Sequence, residues 1–262
     1  MRSLVLGCLA LAGCATVTPQ PAVGDAIYHY VRSNQDGSEP EHVVQFRPSR
    51  TQIAVYKWVE KCTTAAYVTA EMDAAVREGR SYVAGKVARE GSQVAFGTLT
   101  LDEAAPALQA DLDPPGSAHI SGRHPLKSRP YIIYDFDFAD LNAFLQEHRP
   151  RAGFGYEMPV IWPGEAGLFR DLGRLTATYA GEEQHLGRMT RRFDLAVAGP
   201  SPATGRLWID AAQGFIVEAE LALPNHEGYR DFQLKLERVE TGGRESWDAL
   251  TAAHYAGCPA GN

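Results

Sequence analysis

The triplet Asp135-Phe136-Asp137 holds the residue types most able to do chemistry in this chain. Two carboxylates one residue apart on an extended segment point the same way, and such a pair can share a hard divalent cation. The triplet runs directly into a helical pattern, however, and Asp140 follows three residues on. Asp at a helix start accepts from the free amides of the first turn and complements the helix dipole. The sequence therefore assigns Asp137 to the N-cap and no metal to the pair. Arg191 is conspicuous for a different reason. It shares a strand parity with the apolar Met189, Phe193, Leu195 and Val197. A charge there must reach the edge of the sheet, meet a carboxylate or line a cavity. His119, Arg123, His124, Lys127 and Arg129 form a basic group in an acidic chain. An anionic head group is one use for it; a solvated loop is the plainer reading.

Motifs that would define a reaction are missing. There is no Gly-x-Ser-x-Gly nucleophile elbow and no His-Glu-x-x-His pair; His226-Glu227 lies between Asn225 and Gly228 without a second histidine at helical spacing. No Gly-rich phosphate loop appears, and no sequence feature calls for a cofactor. Triads assemble from distant positions, so a hydrolase stays open as a third reading behind two non-enzymatic ones.

The elements that must hold these residues are mostly strands. Ala26–Ser33, His42–Arg47, Gln52–Val59, Thr63–Ala70, Ser81–Arg89 and Gln93–Leu101 are rich in β-branched and aromatic residues, with turn-like Gln35-Asp36-Gly37-Ser38 and Arg89-Glu90-Gly91-Ser92 between some of them. Met189–Ala198, Phe215–Leu223 and Phe232–Leu236 alternate apolar and polar residues, the signature of strands with one wet face. Asp210-Ala-Ala-Gln-Gly214 is expected to turn a hairpin from Gly205–Asp210 into Phe215–Leu223. Asp137–His148 spaces Phe138, Leu141, Phe144 and Leu145 as one helical face, and a last helix is expected around Glu245–Ala256 with Trp247. The fold class is mainly β: a large curved antiparallel sheet or incomplete β-barrel with one or two short helices, since a sheet of about ten strands must curl to cover its apolar face. Residues 151–170 carry Phe154, Tyr156, Met158 and Trp162 among Gly and Pro. They are read as an irregular loop, either a lid over an apolar pocket or core packing at the open end of the barrel. The speculative ligand-binding set is Phe154, Tyr156, Met158, Trp162 and Arg191.

Composition bounds the rest. Of 262 residues, 45% are hydrophobic and 10% aromatic, enough for a sizeable core, and the net charge of −7 argues against nucleic acid as a partner. Met1-Arg2-Ser3 precedes an apolar run from Leu4 to Ala12. That run is far short of the roughly 20 residues that span a bilayer, and reads as a secretory signal. Its ending, Leu11-Ala12-Gly13-Cys14, resembles the lipobox of bacterial lipoproteins. The resemblance implies that residues 1–13 are removed, that Cys14 is acylated (palmitate among its chains), and that residues 14–25 tether a single β-rich domain, residues 26–262. Ala15 resembles the pattern of lipoproteins sent to the outer membrane, where this one would face the periplasm. Cys62 and Cys258 then remain as two thiols in an oxidising compartment and are expected to pair.

A lipobox, a Pro-containing tether, a long β-meander and a short inserted helix together resemble the periplasmic lipoprotein carrier and receptor group of half-barrels (LolA/LolB-like). The hairpin of Gly205–Asp210 and Gly214–Glu220 is similar to the end of related envelope domains. The carrier group binds acyl chains in its concave face. The resemblance thus implies an envelope lipoprotein that binds a lipid, acyl chain or other hydrophobic ligand. The alternative is a structural or assembly subunit of an envelope complex, with a filled interior and an exposed apolar patch for a protein partner.

Overall fold

A computed structural model describes residues 23–164 and 167–259. The signal segment, Cys14 and residues 15–22 of the tether lie outside them. The chain forms β1 (Ala26–Ser33), β2 (Glu41–Phe46), β3 (Gln52–Trp58), β4 (Ala66–Met72), β5 (Gly79–Val87), β6 (Gln93–Asp102), β7 (Ala107–Leu112) and β8 (Ile120–Pro125). A 3-10 turn (Tyr134–Phe136) and helix α1 (Ala139–His148) follow. Then come β9 (Phe154–Gly164), β10 (Gly167–His185), β11 (Arg188–Ala198), β12 (Ala203–Asp210), β13 (Ile216–Leu221), β14 (Phe232–Thr241) and helix α2 (Gly243–Ala252). All fourteen strands belong to one antiparallel sheet, in the order β8 back to β1, then β14 back to β9. It consists of two meanders joined where β1 pairs with β14, and it leaves β8 and β9 as edges.

The sheet curls but does not close. The seam is filled by the connection from β8 to β9: Glu157 N donates to Pro130 O at 2.9 Å, and Ile132 N to Glu157 O at 2.9 Å. The Glu157 carboxylate accepts from Lys127 N and Ser128 Oγ. From this seam the chain turns into the concave side. Tyr131, Ile132, Ile133, Tyr134, Phe136 and Phe138 are all buried against the inner face, and α1 runs on behind them with Leu141 and Leu145 fully buried. The plug supplies the apolar surface that a curled sheet of this size needs on its inside.

The outer face is covered over its first strands by α2. Trp247 has no exposed surface, stacks on Phe46 and donates from Nε1 to Tyr67 Oη at 2.9 Å. This double cover explains why β1 to β3 are buried along nearly their whole length instead of alternating. The Cys62–Cys258 disulfide, with Cα atoms 5.5 Å apart, ties the turn after β3 to the tail beyond α2, as the thiol count predicts.

Three local expectations are corrected. α1 begins at Ala139, because Asp137 and Phe138 both take left-handed backbone conformations (φ 51° and 56°) and the residue at the cap makes no side-chain bond to the helix amides. Residues 151–170 are no irregular loop: they supply β9 and the start of β10. Proline cannot donate to a ladder, but β9 is an edge strand, where Pro159 and Pro163 are tolerated. Of the basic group, Arg123 and His124 sit on β8 with the others flanking it, and it is paired rather than loose, with Arg123 to Asp102, Lys127 to Asp171 and Arg129 to Glu78.

Candidate ligand-binding site

Between the inner face of β4 to β7 and the 3-10 turn lies a cavity of about 140 Å³. Its origin is compositional. Where neighbouring inner positions carry Met72 and Tyr82, the wall here carries Ala66, Val68, Ala84 and Gly85. Side chains this small leave the plug out of contact with the sheet. The wall is also irregular. Pairing of β4 with β5 skips Tyr67–Gly85 and Val68–Ala84, and the β5–β6 register shifts at Ala84/Gly85. The Gln93 amide bridges the break, donating to Tyr67 O at 2.7 Å and Val83 O at 3.0 Å. Leu99, Leu112, Ile133, Phe136 and Ile161 complete an apolar lining.

Three polar groups converge on one side of it: Lys57, Asp135 and His226. Lys57 Nζ lies 2.8 Å from Asp137 Oδ2, 3.2 Å from Asp135 O and 3.5 Å from His226 Nε2. Asn225 Nδ2 donates to the other Asp137 oxygen at 2.7 Å, and Arg32 Nε stands 3.7 Å from it. Arg32 in turn donates to Asn225 Oδ1 and Glu41 Oε2 and lies over the Tyr229 ring. Burial alone would raise the Asp137 pKa, but Lys57, Arg32 and His226 outweigh it and bring the value down to about 2. Asp135 lacks such close partners. It accepts from Ile161 N at 3.0 Å, and burial pushes its pKa up to about 6. Burial and the Lys57 charge hold His226 neutral, with a pKa of about 3. Behind Tyr82, buried Asp140 accepts from Tyr82 Oη, Ile133 N and Leu141 N, and its pKa is pushed up to about 7 by burial. This wall can accept and donate hydrogen bonds to one polar end of an apolar molecule. Asp137 is saturated by nitrogen donors, so the Asp135/Asp137 pair is an ion-pair and hydrogen-bond element rather than a cation cradle.

The residues singled out in the sequence fall elsewhere. Phe154 and Tyr156 pack on Phe144 of α1, and Met158 is fully buried. Trp162 is half-buried beneath Arg170, whose guanidinium is 4.1 Å from the ring centre. Of this segment, Ile161 is the residue that lines the cavity. Arg191 does meet a carboxylate, Glu182, and also donates to Arg149 O beyond α1 and to Ala211 O, binding the far end of the plug to the β12–β13 turn. Lys57 was missed, although it breaks the apolar parity of Ile53 and Val55 just as Arg191 breaks that of its own strand. Among the described residues, one trio has metal-ligating types in reach of one another, Asp111, Asp113 and His119, and all three are exposed on the β7–β8 hairpin.

The fold and cavity define a β-barrel-like domain with a plugged interior. No protein-family model and no curated protein matches the chain. Among solved structures, a crystal structure of a beta-barrel-like protein of a domain of unknown function, DUF1849, from Brucella abortus is similar over 83% of this chain and 97% of that one. The identity is 10% and the TM-score 0.43. A structure of PNGF-II aligns over 87% of this chain but 32% of its own length, at 7% identity and a TM-score of 0.30. Neither likeness extends to function.

Proposed function

We propose that this chain is an envelope lipoprotein, anchored through Cys14, whose curved sheet binds a compact hydrophobic ligand. The observation that carries the reading is the apolar cavity between β4–β7 and the plug, with Lys57, Asp135 and His226 on one side. Apolar pockets with a few convergent polar groups are the usual form of small-molecule sites. Size decides which hydrophobic ligand. A cavity near 150 Å³ accepts a benzene-sized group, whereas pockets for larger ligands run from about 300 Å³ upward. At about 140 Å³ the site suits a short alkyl or aryl group, or the end of one acyl chain, rather than a whole diacyl lipid.

Native mass spectrometry of the protein with 1-octanol as probe tests the reading. A one-to-one adduct is expected, and it is lost in Ala84→Phe, which fills the cavity. An apo mass at saturating octanol would overturn it. The anchor is tested separately by Cys14→Ser, which should move the protein from the membrane to the soluble fraction and abolish palmitate labelling.

The assembly reading draws support from a different place. Leu186 and Met189 at the tip of the β10–β11 hairpin are about half exposed. If they dock a protein partner, a cross-linker placed at Leu186 will capture one stoichiometric envelope protein in vivo.

A further inference from the structure

Lys57, Ala66 and Lys86 stand opposite one another on β3, β4 and β5, since Lys57 pairs with Ala66 and Ala66 with Lys86. All three lie on the inner parity of their strands, Lys57 with Ile53 and Val55, Lys86 with Tyr82 and Ala84. Neighbouring strands are about 4.8 Å apart, so the two lysine backbones are about 10 Å apart with a single methyl group between them. Lys57 Nζ is held in place by Asp137, and the flexible ammonium-bearing stem of Lys86 can reach toward it over Ala66.

The row lies where two hollows meet. Lys57, Ala66, Gly85 and Phe96 line the inner cavity and also an outer hollow of about 300 Å³, which adds Thr63, Thr64 and Lys86. The deep part is almost wholly apolar, and the outer part, still mainly apolar, adds Lys86, Glu41 and the two threonine hydroxyls. The charges are unequal as well. Asp137 neutralises Lys57 and Glu41 neutralises Arg32, whereas Lys86 makes no ion pair with any described residue. The mouth of the route from solvent thus carries one ammonium without an ion-pair partner, Lys86, while the Asp135 carboxyl lies on the deeper wall.

We propose that the ligand of this cavity is a single-tailed anion, with its carboxylate or phosphate on the Lys57–Ala66–Lys86 row and its tail among Val68, Ala84, Leu99, Leu112 and Ile161. This deepens the reading of the cavity as a hydrophobic site and depends on it. A neutral ligand would leave Lys86 unused, and a cationic one would meet two ammonium groups on its way in.

Calorimetric titration with four probes of one tail length separates the cases: octanoate, octyl phosphate, 1-octanol and octylammonium. The anions are expected to bind at least tenfold tighter than octanol, and octylammonium more weakly than octanol. Preference for octanoate identifies a carboxylate ligand, and preference for octyl phosphate a phosphate ester. Lys86→Gln and Lys86→Glu should lower anion affinity about threefold and tenfold, with octanol binding unchanged as the sign of an intact cavity. If the anions bind no tighter than octanol, or if both variants leave them unaffected, the head-group assignment is wrong while the cavity reading stands. If none of the four binds, both fall together.

Discussion

Lys57 Nζ and Asp137 Oδ2 meet at 2.8 Å in the interior, joining the inner face of β3 to the turn from which α1 departs. The contact spans 80 residues of sequence and fixes the plug against the wall of the cavity. It also accounts for the unusual entry into α1. The carboxylate that might have capped the helix is drawn to an ammonium and an amide instead, and the backbone turns through two left-handed residues to allow it.

Removing one partner of such a buried pair strands the other. Lys57→Met should cost about 3–5 kcal/mol in urea unfolding. Adding Asp137→Leu should restore a large part of that loss, because two apolar side chains carry no desolvation penalty. A double variant less stable than Lys57→Met alone would show that Asp137 is held mainly by Arg32 and Asn225.

His226 gives a pH signature. Its folded pKa is depressed to about 3, below the ordinary histidine value of 6.5. The unfolded chain therefore binds a proton there that the folded chain refuses, and stability is lost from this group as pH falls below about 6.5. In His226→Gln that loss disappears. Relative to the wild type, the variant should gain about 1–2 kcal/mol between pH 7 and pH 4, after allowing for the partial solvent screening of this side chain. Parallel stability–pH curves for the two proteins would contradict the assignment.

Asp135 should make anion binding pH-dependent. Its carboxyl lines the cavity with a pKa near 6, while Asp137 stays ionised and His226 stays neutral across the range from pH 7.5 to 5.5. Protonating Asp135 removes a negative charge beside the ligand, so octanoate should bind several-fold tighter at pH 5.5 than at 7.5. Asp135→Asn keeps an acceptor for Ile161 N and should flatten the profile. A profile that persists in the variant would assign the titration to another group.

The outer layer has its own test. A disulfide closing a loop with a sequence separation of 196 constrains the unfolded chain by up to about 5 kcal/mol in the loop-entropy model. Cys62→Ser with Cys258→Ser should lower stability by about 3–5 kcal/mol, and Trp247→Ala by a similar amount through the cavity it leaves over Phe46 and Tyr67. Thermal unfolding of both variants checks this. A shift below 2 °C in either would show that α2 is dispensable to the sheet.

Much of the fold was legible in the sequence where a strand has one wet face. β1 spans Ala26–Ser33 as expected, and β11 alternates as its sequence does from Arg191 to Ala198, while near the hairpin tip Met189 is half exposed and Thr190 buried. The hairpin at Asp210 forms with Gly214 N donating to Asp210 O. The lapses have a shared cause, in that the deciding partner lies far away in the chain. Pro159 and Pro163 read as loop because nothing local reveals that β9 is an edge. Asp137 reads as a cap because Lys57 is 80 residues distant. The cavity was illegible because it depends on Ala66, Val68, Ala84 and Gly85 meeting across two strands in one register. Lys57 and Lys86 were missed, although each is a charge on the inward parity of its strand.

The most direct test of the cavity as a binding site is methyl NMR of the protein titrated with 1-octanol. Saturable shifts are predicted at Val68, Ala84, Leu99, Leu112, Ile133 and Ile161, with Ala54 and Val87 on the outer face unmoved. Shifts confined to the exposed Leu186 and Met189, or absent altogether, would contradict it and leave the interior as packing alone.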